Sequence, residues 1–574
     1  MLQTRTDDSG LAQRVKRLGL WQRITWAEHV AKVNALTRYL LKSGLEKNEK
    51  VAILSENRPE WLVADLAVQS AGGVSVGIYT TSSPEQVGYV LEHSDSVGLI
   101  LENAEQIEKW LELRESMPNV RFVVALEPEG FDEVRAWEDV MEEGRELYAR
   151  DPNPVHERIA EVGSSDTALL MYTSGTTGHP KGVMLSQESL LWAVDSLIET
   201  LGYSESDEIV SYLPLSHIVE RGGSYAHIKT GMTINFVENL DTFAQNLQEI
   251  RPTVLFAVPR IWEKMHSLVE LHMRENHFLK RAVYDWAMRA VAGTHPKDAG
   301  SAAAMLANLT VVSWLKQRLG LDRLRIAVSG AAPISPQILM YFRALGVDIR
   351  EGYGMTENCG LTSIHQDAFK LGTVGTTFPG VEIKLAEDSE ILTRSPGTLQ
   401  GYYKNSEATA ETVTDGWLHT GDIGEFDADG QLTITDRKKD IIITAGGKNI
   451  APQKIENLLK SSIFINDAVV IGDQRKYLTA LLVLDEDNIT TWARDHGLTY
   501  TTYTDLATHE EVIKLLDAEV AEANKQLARV ETIKKFAVLP KRLYYEDGEV
   551  TATLKVKRSS IAKKYADLIE SLYR

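Results

Sequence analysis

The segment Tyr172-Thr-Ser-Gly-Thr-Thr-Gly-His-Pro-Lys-Gly182 constrains this chain more than any other. It gathers the hydroxyl residues Thr173, Ser174, Thr176 and Thr177, the glycines Gly175, Gly178 and Gly182, and Lys181. An apolar run, Ala168-Leu-Leu-Met171, leads in, and Val183-Met-Leu185 leads out. Glycines let backbone N–H groups approach an anion closely, hydroxyls donate hydrogen bonds and the lysine supplies charge, so the composition is that of a phosphate cradle. It is not the common Gly-x4-Gly-Lys-Ser/Thr nucleotide loop. Counting from Gly175, the second glycine position holds Pro180, and Gly182 follows Lys181.

A cradle of this kind needs a scaffold, and the chain has material for one. Its 574 residues are enough for several structural units with an ample core. Hydrophobic residues make up 43% and charged residues 25%, as in ordinary globular proteins. The formal net charge of −20 argues against nucleic acid as a partner and requires anionic ligands to be met by local clusters. Cys359 is the single cysteine, which excludes an intrachain disulfide and a cysteine-cluster metal site. The start, Met1-Leu-Gln-Thr-Arg-Thr-Asp-Asp8, lacks the apolar core of a signal peptide. No apolar run approaches the roughly 18–20 residues of a membrane span. The expectation is a cytoplasmic protein without a transmembrane segment. Peripheral membrane contact and a homodimer are both compatible with the sequence.

Helices and strands alternate through the first part. Trp26 to Leu41 has helical spacing of apolar residues, and Lys50-Val-Ala-Ile-Leu54 is a short apolar strand. A helix from Trp61 to Ala71 and strands Val74–Ile78 and Val97–Leu101 follow. Ile209–Leu213, Thr233–Val237, Thr253–Ala257 and Leu324–Val328 repeat the pattern beside helical segments. Strands separated by helices predict βαβ units and largely parallel sheets. The alanine-rich stretch Ala302 to Leu306 reads as helix. After about Gly380, short strands and turns dominate, with a hairpin signal at Asp427-Ala-Asp-Gly430. Asp436-Arg-Lys-Lys439 is a charged connector. Beyond it, a second α/β unit is expected: strand Ile441–Thr444, helix Pro452–Leu459, strands Asp467–Gly472 and Leu478–Leu484, and a long helix from Glu510 to Arg529. The end, Gly548 to Arg558, reads as a basic loop before a final helix.

Four further segments accompany the cradle. Ser329-Gly-Ala-Ala-Pro333 is a small-residue platform after a strand. Glu351-Gly-Tyr-Gly-Met-Thr-Glu357 places an aromatic, a hydroxyl and a carboxylate in one loop. Trp417-Leu-His-Thr-Gly-Asp422 ends in a carboxylate, and Arg437 opens the connector. With these motifs in this order, the chain resembles the adenylate-forming (AMP-binding) superfamily from about Trp26 to Arg558. That superfamily includes acyl-CoA synthetases, luciferases and nonribosomal adenylation domains.

The resemblance implies a multidomain α/β fold. A large N-terminal domain of α/β layers with a small β-rich subdomain would span 1–436. A small mobile C-terminal α/β domain would span 437–574. It also implies two half-reactions: a carboxylate attacks the α-phosphate of ATP and releases pyrophosphate, then a thiol displaces AMP. Spread negative charge in such transition states calls for preorganised donors and a metal. By resemblance, Thr173, Ser174, Gly175, Thr176, Thr177, Gly178 and Lys181 hold the β- and γ-phosphates. Glu357 holds magnesium, a hard cation suited to carboxylate and phosphate oxygens, with Thr173 as a second contributor. Thr356 meets the α-phosphate. Gly330, Ala331 and Tyr353 form the adenine slot, Asp422 accepts the ribose hydroxyls, and Arg437 donates to the ribose from the far side. Lys555 is the adenylation lysine, bridging carboxylate and α-phosphate. Members usually carry a Gly-Lys setting there, whereas this chain has Leu554-Lys555, as long-chain and very-long-chain acyl-CoA synthetases do.

Leu213-Pro-Leu-Ser-His-Ile-Val-Glu-Arg221 and Val258-Pro-Arg-Ile-Trp-Glu-Lys264 resemble the long-chain fatty acyl-CoA synthetases, in particular the bubblegum-type group and its bacterial relatives. His217 matches a conformationally important aromatic position near the acyl tunnel. Gly446 and Gly447, with Lys448, are implied to meet coenzyme A, and Lys439 matches the hinge of the small domain. Arg475 and Lys476, adjacent in a turn between two strands, are local positives placed to meet the CoA 3′-phosphate; Lys534, Lys535, Lys541 and Arg542 are other positives, and solvated faces are the alternative reading for most of the six. The reading implied is a fatty acid–CoA ligase using ATP, Mg2+ and coenzyme A. Alternatives are a fatty acyl-AMP ligase serving a carrier protein, a luciferase-like oxygenase, and a non-catalytic nucleotide or fatty-acid sensor.

Overall fold

The computed structural model describes residues 2–173, 179–275, 277–292, 295, 301–366, 369–544, 547–551 and 556–574. Two large sheets form the first part of the chain. One has nine strands, with a parallel centre made by Ile349–Tyr353, Ile326–Ser329, Val254–Ala257, Glu208–Ser211, Thr233–Phe236 and Leu11–Arg17. The other has eight strands, with Lys50–Leu54 at its centre between parallel Val74–Ile78 and Ser96–Leu101. Parallel sheets need helices on both faces, and the long apolar runs of these strands follow from that double burial. One continuous core joins the two sheets. Ile53, Val124 and Leu169 of the eight-stranded sheet pack in the same cluster as Ile234, Phe236 and Val328 of the nine-stranded one.

Local signals set the helices. Trp26–Lys42 starts at Thr25, whose side chain accepts from the Glu28 N–H in a capping box. Its buried face carries Trp26, Val30, Val33, Leu36 and Leu40. The helix Ile218–Thr230 is held to the helix Pro59–Ser70 by a fully buried polar group. Arg221 donates to Asp65 at 2.9 Å, to the Leu215 carbonyl at 2.8 Å and to the Tyr225 hydroxyl at 3.0 Å. Tyr225 donates in turn to Asp65 at 2.8 Å, and the guanidinium lies 4.3 Å from the centre of the Trp61 ring. A buried ion pair survives only where its desolvation is offset by such hydrogen bonds. This one pins the loop leading to His217.

A five-stranded antiparallel sheet follows, built from Glu382–Leu385, Glu390–Arg394, Val413–Thr414, Trp417–Phe426 and Leu432–Arg437. The hairpin expected at Asp427–Gly430 joins its last two strands. A smaller C-terminal α/β domain has its own three-stranded sheet, Ile465–Ile471, Leu478–Leu484 and Ile533–Val538, and its own core around Ile455, Leu482 and Leu516.

Several elements differ from the sequence reading. After a 3-10 turn at Leu2–Arg5 comes an unforeseen hairpin, Leu11–Arg17 with Leu20–Thr25, turned by Leu18 at φ 48° and Gly19 at φ 77°. Such a turn demands two left-handed residues, and leucine is not a usual signal for one. The strand expected at Ile441–Thr444 shrinks to Ile442–Ile443, which among the described residues pairs with Asn449–Ile450 alone in a small hairpin. The long helix stops at Asn524, and Asn524 then ties its side chain to both backbone groups of Ile533. That pair of bonds launches the strand Ile533–Val538, which contains Lys534 and Lys535.

Candidate active site

The carboxyl ends of parallel strands are where open α/β sheets bind ligands. Ile326–Ser329 and Ile349–Tyr353 are adjacent and parallel, with Ser329 opposite Glu351. Gly330 therefore lies beside Gly352. A Cβ on Gly330 would stand 3.0 Å from the Gly352 carbonyl oxygen and 3.3 Å from the Phe256 ring, so the position has little room for a side chain. Ala331 follows at φ 68°, a left-handed conformation that costs an alanine energy and is held by the fold around it. The platform and the aromatic of the expected adenine slot thus sit side by side.

Tyr353 donates its hydroxyl to Asp422 Oδ2 at 2.6 Å. Asp422 also meets Arg437 Nε at 3.2 Å, because the two residues stand opposite each other in the antiparallel strands Trp417–Phe426 and Leu432–Arg437. Three separately read motifs converge here in one contact chain. Asp422 is buried and Arg437 is half exposed, so the carboxylate is fixed while the guanidinium keeps access to solvent.

Glu357 lies in a short helical turn, Thr356–Asn358, one turn after Tyr353. Its side chain is buried, and burial raises its carboxyl above the usual carboxylate range despite the Tyr402 hydroxyl, Arg437 and Lys181 nearby. Tyr402 donates to Glu357 Oε1 at 2.9 Å, and Lys181 Nζ lies 4.8 Å from the centre of the Tyr402 ring. The cause is again strand pairing. Thr173 stands opposite Lys181 in the hairpin Thr167–Thr173 with Lys181–Ser186, and Gly401–Tyr402 pairs with the second of these strands. Thr173, Lys181, Tyr402 and Glu357 are thereby brought to one end of the eight-stranded sheet. Ser174, Gly175, Thr176, Thr177 and Gly178 lie outside the described residues. After them, His179 stacks on Tyr89 with ring centres 4.6 Å apart, and Tyr89 donates to the Pro180 carbonyl.

His217 caps the helix Ile218–Thr230, its Nδ1 accepting from the Val219 N–H at 3.3 Å. The connector is split in its attachments. Lys438 pairs with Glu390 of the five-stranded sheet and with Asp388 in the turn before it. Asp436, buried beside Arg558 and the Gln453 backbone of the small domain, has its carboxyl pushed up to about 6 by burial. Lys439, between these anchors and the next hairpin, is exposed. Gly446 and Gly447 lie at the tip of that hairpin in solvent, and a Cβ on Gly447 would meet nothing within 4 Å. The small domain meets the large one elsewhere, with Arg260 donating to Asp467 at 2.6 Å. Lys555 lies outside the described residues. Of the further positives, Arg475 is paired with Glu570, Lys541 with Asp547, and Arg542 with Glu486.

Tyr402 escaped the sequence reading, and Arg221 and Glu351, each at the end of a motif it singled out, were given no role there. Glu351 opens the motif that holds Tyr353. Burial pushes its carboxyl up to about 8, and its Oε2 has no hydrogen-bond partner among the described residues. The signal for Arg221 was available: an arginine inside the apolar face of a helix must bring a buried partner.

Among the described residues, no cluster of three or more His, Cys, Asp or Glu side chains could hold a metal alone. A lone buried carboxylate with a neighbouring hydroxyl fits magnesium, which is usually bound by one or two carboxylates together with substrate phosphates.

Residues 6–403 match the AMP-binding enzyme family, and residues 439–574 match the AMP-binding enzyme C-terminal domain. The chain is 36% identical over 566 residues to a long-chain-fatty-acid–CoA ligase, FadD15, of Mycobacterium bovis, covering 97% of this chain and 93% of that protein. It is 42% identical over 425 residues to a putative fatty-acid–CoA ligase, fadD11, of Mycobacterium tuberculosis, covering 72% and 74% of the two chains. Among solved structures, the anthranilate CoA ligase AuaEII in complex with anthranoyl-AMP shares the fold, with a TM-score of 0.75 and 20% identity over 100% of this chain and 97% of that one.

Proposed function

The chain belongs to the family of AMP-binding enzymes, and from that premise we propose that it is a long-chain fatty acid–CoA ligase. As a member it is an ATP-dependent adenylate-forming enzyme acting on a carboxylic acid. The observation that carries the finer reading is the likeness, across nearly the whole chain, to a long-chain-fatty-acid–CoA ligase. The motifs around His217 and Arg260 support the bubblegum-type group.

In the first half-reaction the fatty carboxylate attacks the α-phosphorus, a P–O bond forms, and the bond to pyrophosphate breaks. Lys181, Thr173 and the loop 174–178 receive the β- and γ-phosphates. Thr356 donates to the α-phosphate, and Lys555 bridges it to the attacking carboxylate. The base enters between the Gly330–Ala331 platform and Tyr353. Asp422 already accepts from Tyr353 and Arg437. A carboxylate offers about four lone-pair sites, so it can also accept both ribose hydroxyls. Glu357 with Thr173 would hold magnesium, which would supply charge neutralisation at the phosphates. Burial of Glu357 supports this role, since a nearby dication offsets the desolvation that raises its carboxyl.

In the second half-reaction the CoA thiolate attacks the acyl carbonyl and AMP leaves. Gly446 and Gly447 would line the thiol's approach, and His217 would face the acyl path. Their hairpin is in solvent here, so the reading requires a turn of the small domain about Lys439.

The test is pyrophosphate release with fatty acids from short to very long, with magnesium and ATP, with and without CoA, the acyl products identified by mass. CoA-dependent turnover to long-chain acyl-CoA is expected. Acyl-AMP that CoA cannot discharge would assign the chain to carrier-protein loading instead. ATP binding without pyrophosphate release from any acid would overturn the proposed substrate.

A further inference from the structure

The helix Pro84–Ser94 reaches both ends of the cradle segment, and it is itself firmly held. Ser83 starts it with a capping box to Gln86, and Val87, Val90 and Leu91 bury one face. At its far end Asp95, left-handed at φ 53°, accepts from the Tyr403 hydroxyl and from Lys404 Nζ, each at 2.8 Å. The Tyr403 N–H donates in turn to the Gly182 carbonyl at 2.8 Å. The helix is thus tied to the second strand of the cradle hairpin as well as to the core.

Tyr89 and His93 stand one turn apart on this helix and stack on each other, with ring centres 5.3 Å apart. His93 holds the entry of the cradle, its Nδ1 hydrogen-bonded to the Tyr172 hydroxyl at 2.8 Å. Tyr172 is buried and packs across the hairpin over Gly182, where a Cβ would stand 3.3 Å from its ring. Tyr89 holds the exit. Its hydroxyl donates to the Pro180 carbonyl at 3.0 Å, and its ring stacks on His179 at 4.6 Å with the planes 19° apart. His179 is exposed, so the stack on Tyr89, and not burial in the core, accounts for its place. Thr173 and Lys181 each follow a residue held by this helix.

We propose that Tyr89 and His93 are positioning residues for the β- and γ-phosphate site, clamping both ends of the cradle to one helix. Ordering a loop around a ligand costs entropy, and ends that are fixed beforehand lower that cost. Anchoring both ends on one helix also sets their separation, so that Thr173 and Lys181 face the same phosphates. The clamp acts through those two residues, and so rests on their assignment to the β- and γ-phosphates. It has no hold on the adenosine end, which is built from Gly330, Tyr353 and Asp422. Its effect should therefore appear in the binding of ATP and be missing from the binding of AMP.

The test is calorimetric binding of magnesium–ATP and of AMP to the intact protein, with no fatty acid or CoA present, so that the outcome does not depend on which acid the enzyme takes. Tyr89→Ala should weaken ATP about tenfold and leave AMP within about twofold. Tyr89→Phe keeps the stack on His179 and loses the bond to Pro180, and should weaken ATP about threefold. This variant carries the test if the alanine lowers the unfolding midpoint. His93→Ala should weaken ATP about threefold, and His93→Asn, whose amide can still meet the Tyr172 hydroxyl, should restore it. Equal weakening of ATP and AMP, or no change in either, would overturn the clamp. Lys181→Ala separates the clamp from the assignment beneath it. If that variant weakens ATP selectively and Tyr89→Ala does not, the clamp fails and the phosphate assignment stands. If neither variant does, the assignment fails and the clamp with it.

Discussion

The crevice that gathers Tyr353, Glu357, Asp422 and Arg437 and the hairpin that carries Gly446 and Gly447 are built on opposite terms. In the crevice, each side chain comes from a strand or strand end whose register is set by its neighbours. Asp422 faces Arg437 and Thr173 faces Lys181 because the ladders leave no other pairing. Behind it, the Arg221–Asp65 pair is wholly buried and locks one helix to another. The hairpin has a two-residue ladder, a solvent-exposed tip and an exposed lysine at its base. The first region can hold a transition state without reorganising, whereas the second can be moved at little cost.

The contrast can be broken at its strongest point first. Arg221→Ala leaves Asp65 buried without its cation, with only the Tyr225 hydroxyl still donating to it, and should cost about 3–5 kcal/mol in urea unfolding. Replacing Asp65 and Arg221 together by leucine should cost clearly less than the two single changes summed. Equal costs would mean the pair is not coupled. Asp422→Ala removes the acceptor shared by Tyr353 and Arg437. Adenylate formation, read by ATP–pyrophosphate exchange, should fall about 100-fold with the fold retained. A change of less than about threefold would remove Asp422 from the nucleotide site.

A pH experiment sharpens the comparison. The Glu351 carboxyl stays protonated in the native state until the pH nears about 8, whereas in the unfolded chain it ionises near 4.5. Its contribution to stability is therefore fully present below 4.5 and is lost as the pH rises toward 8. Glu351→Gln should gain on the parent protein by about 4 kcal/mol between pH 4.5 and pH 8 in urea titrations. A gain that does not grow with pH would mean that this carboxyl is ionised in the fold. The smallest effect is expected at the domain contact. Arg260→Ala breaks a partly exposed ion pair and should change stability by less than about 1 kcal/mol. A larger loss would show that the small domain is clamped there.

The sequence made the crevice legible because its motifs are dense in glycine, hydroxyl and carboxylate residues at strand ends. Strand positions such as Lys50–Leu54 and Leu478–Leu484 were readable for a related reason, since uninterrupted apolar runs have few other uses. Tyr402 was not readable: it reaches Glu357 only because a two-residue strand docks on the cradle hairpin. The opening hairpin was hidden by a leucine in a conformation usually left to glycine or asparagine. The strand Ile533–Val538 was hidden by its lysines, which project outward while Ile533 is buried.

The central claim is that one region stays fixed while the other turns. The most direct measurement compares the two half-reactions in Lys439→Pro, with acyl-AMP formation from fatty acid and ATP set beside thioester formation from supplied acyl-AMP and CoA. The account expects the first to stay within about threefold of the parent and the second to fall about tenfold or more, because proline fixes the backbone torsion that the turn requires. The reverse bias is expected for Lys555→Ala. Equal loss of both half-reactions in Lys439→Pro would contradict the account.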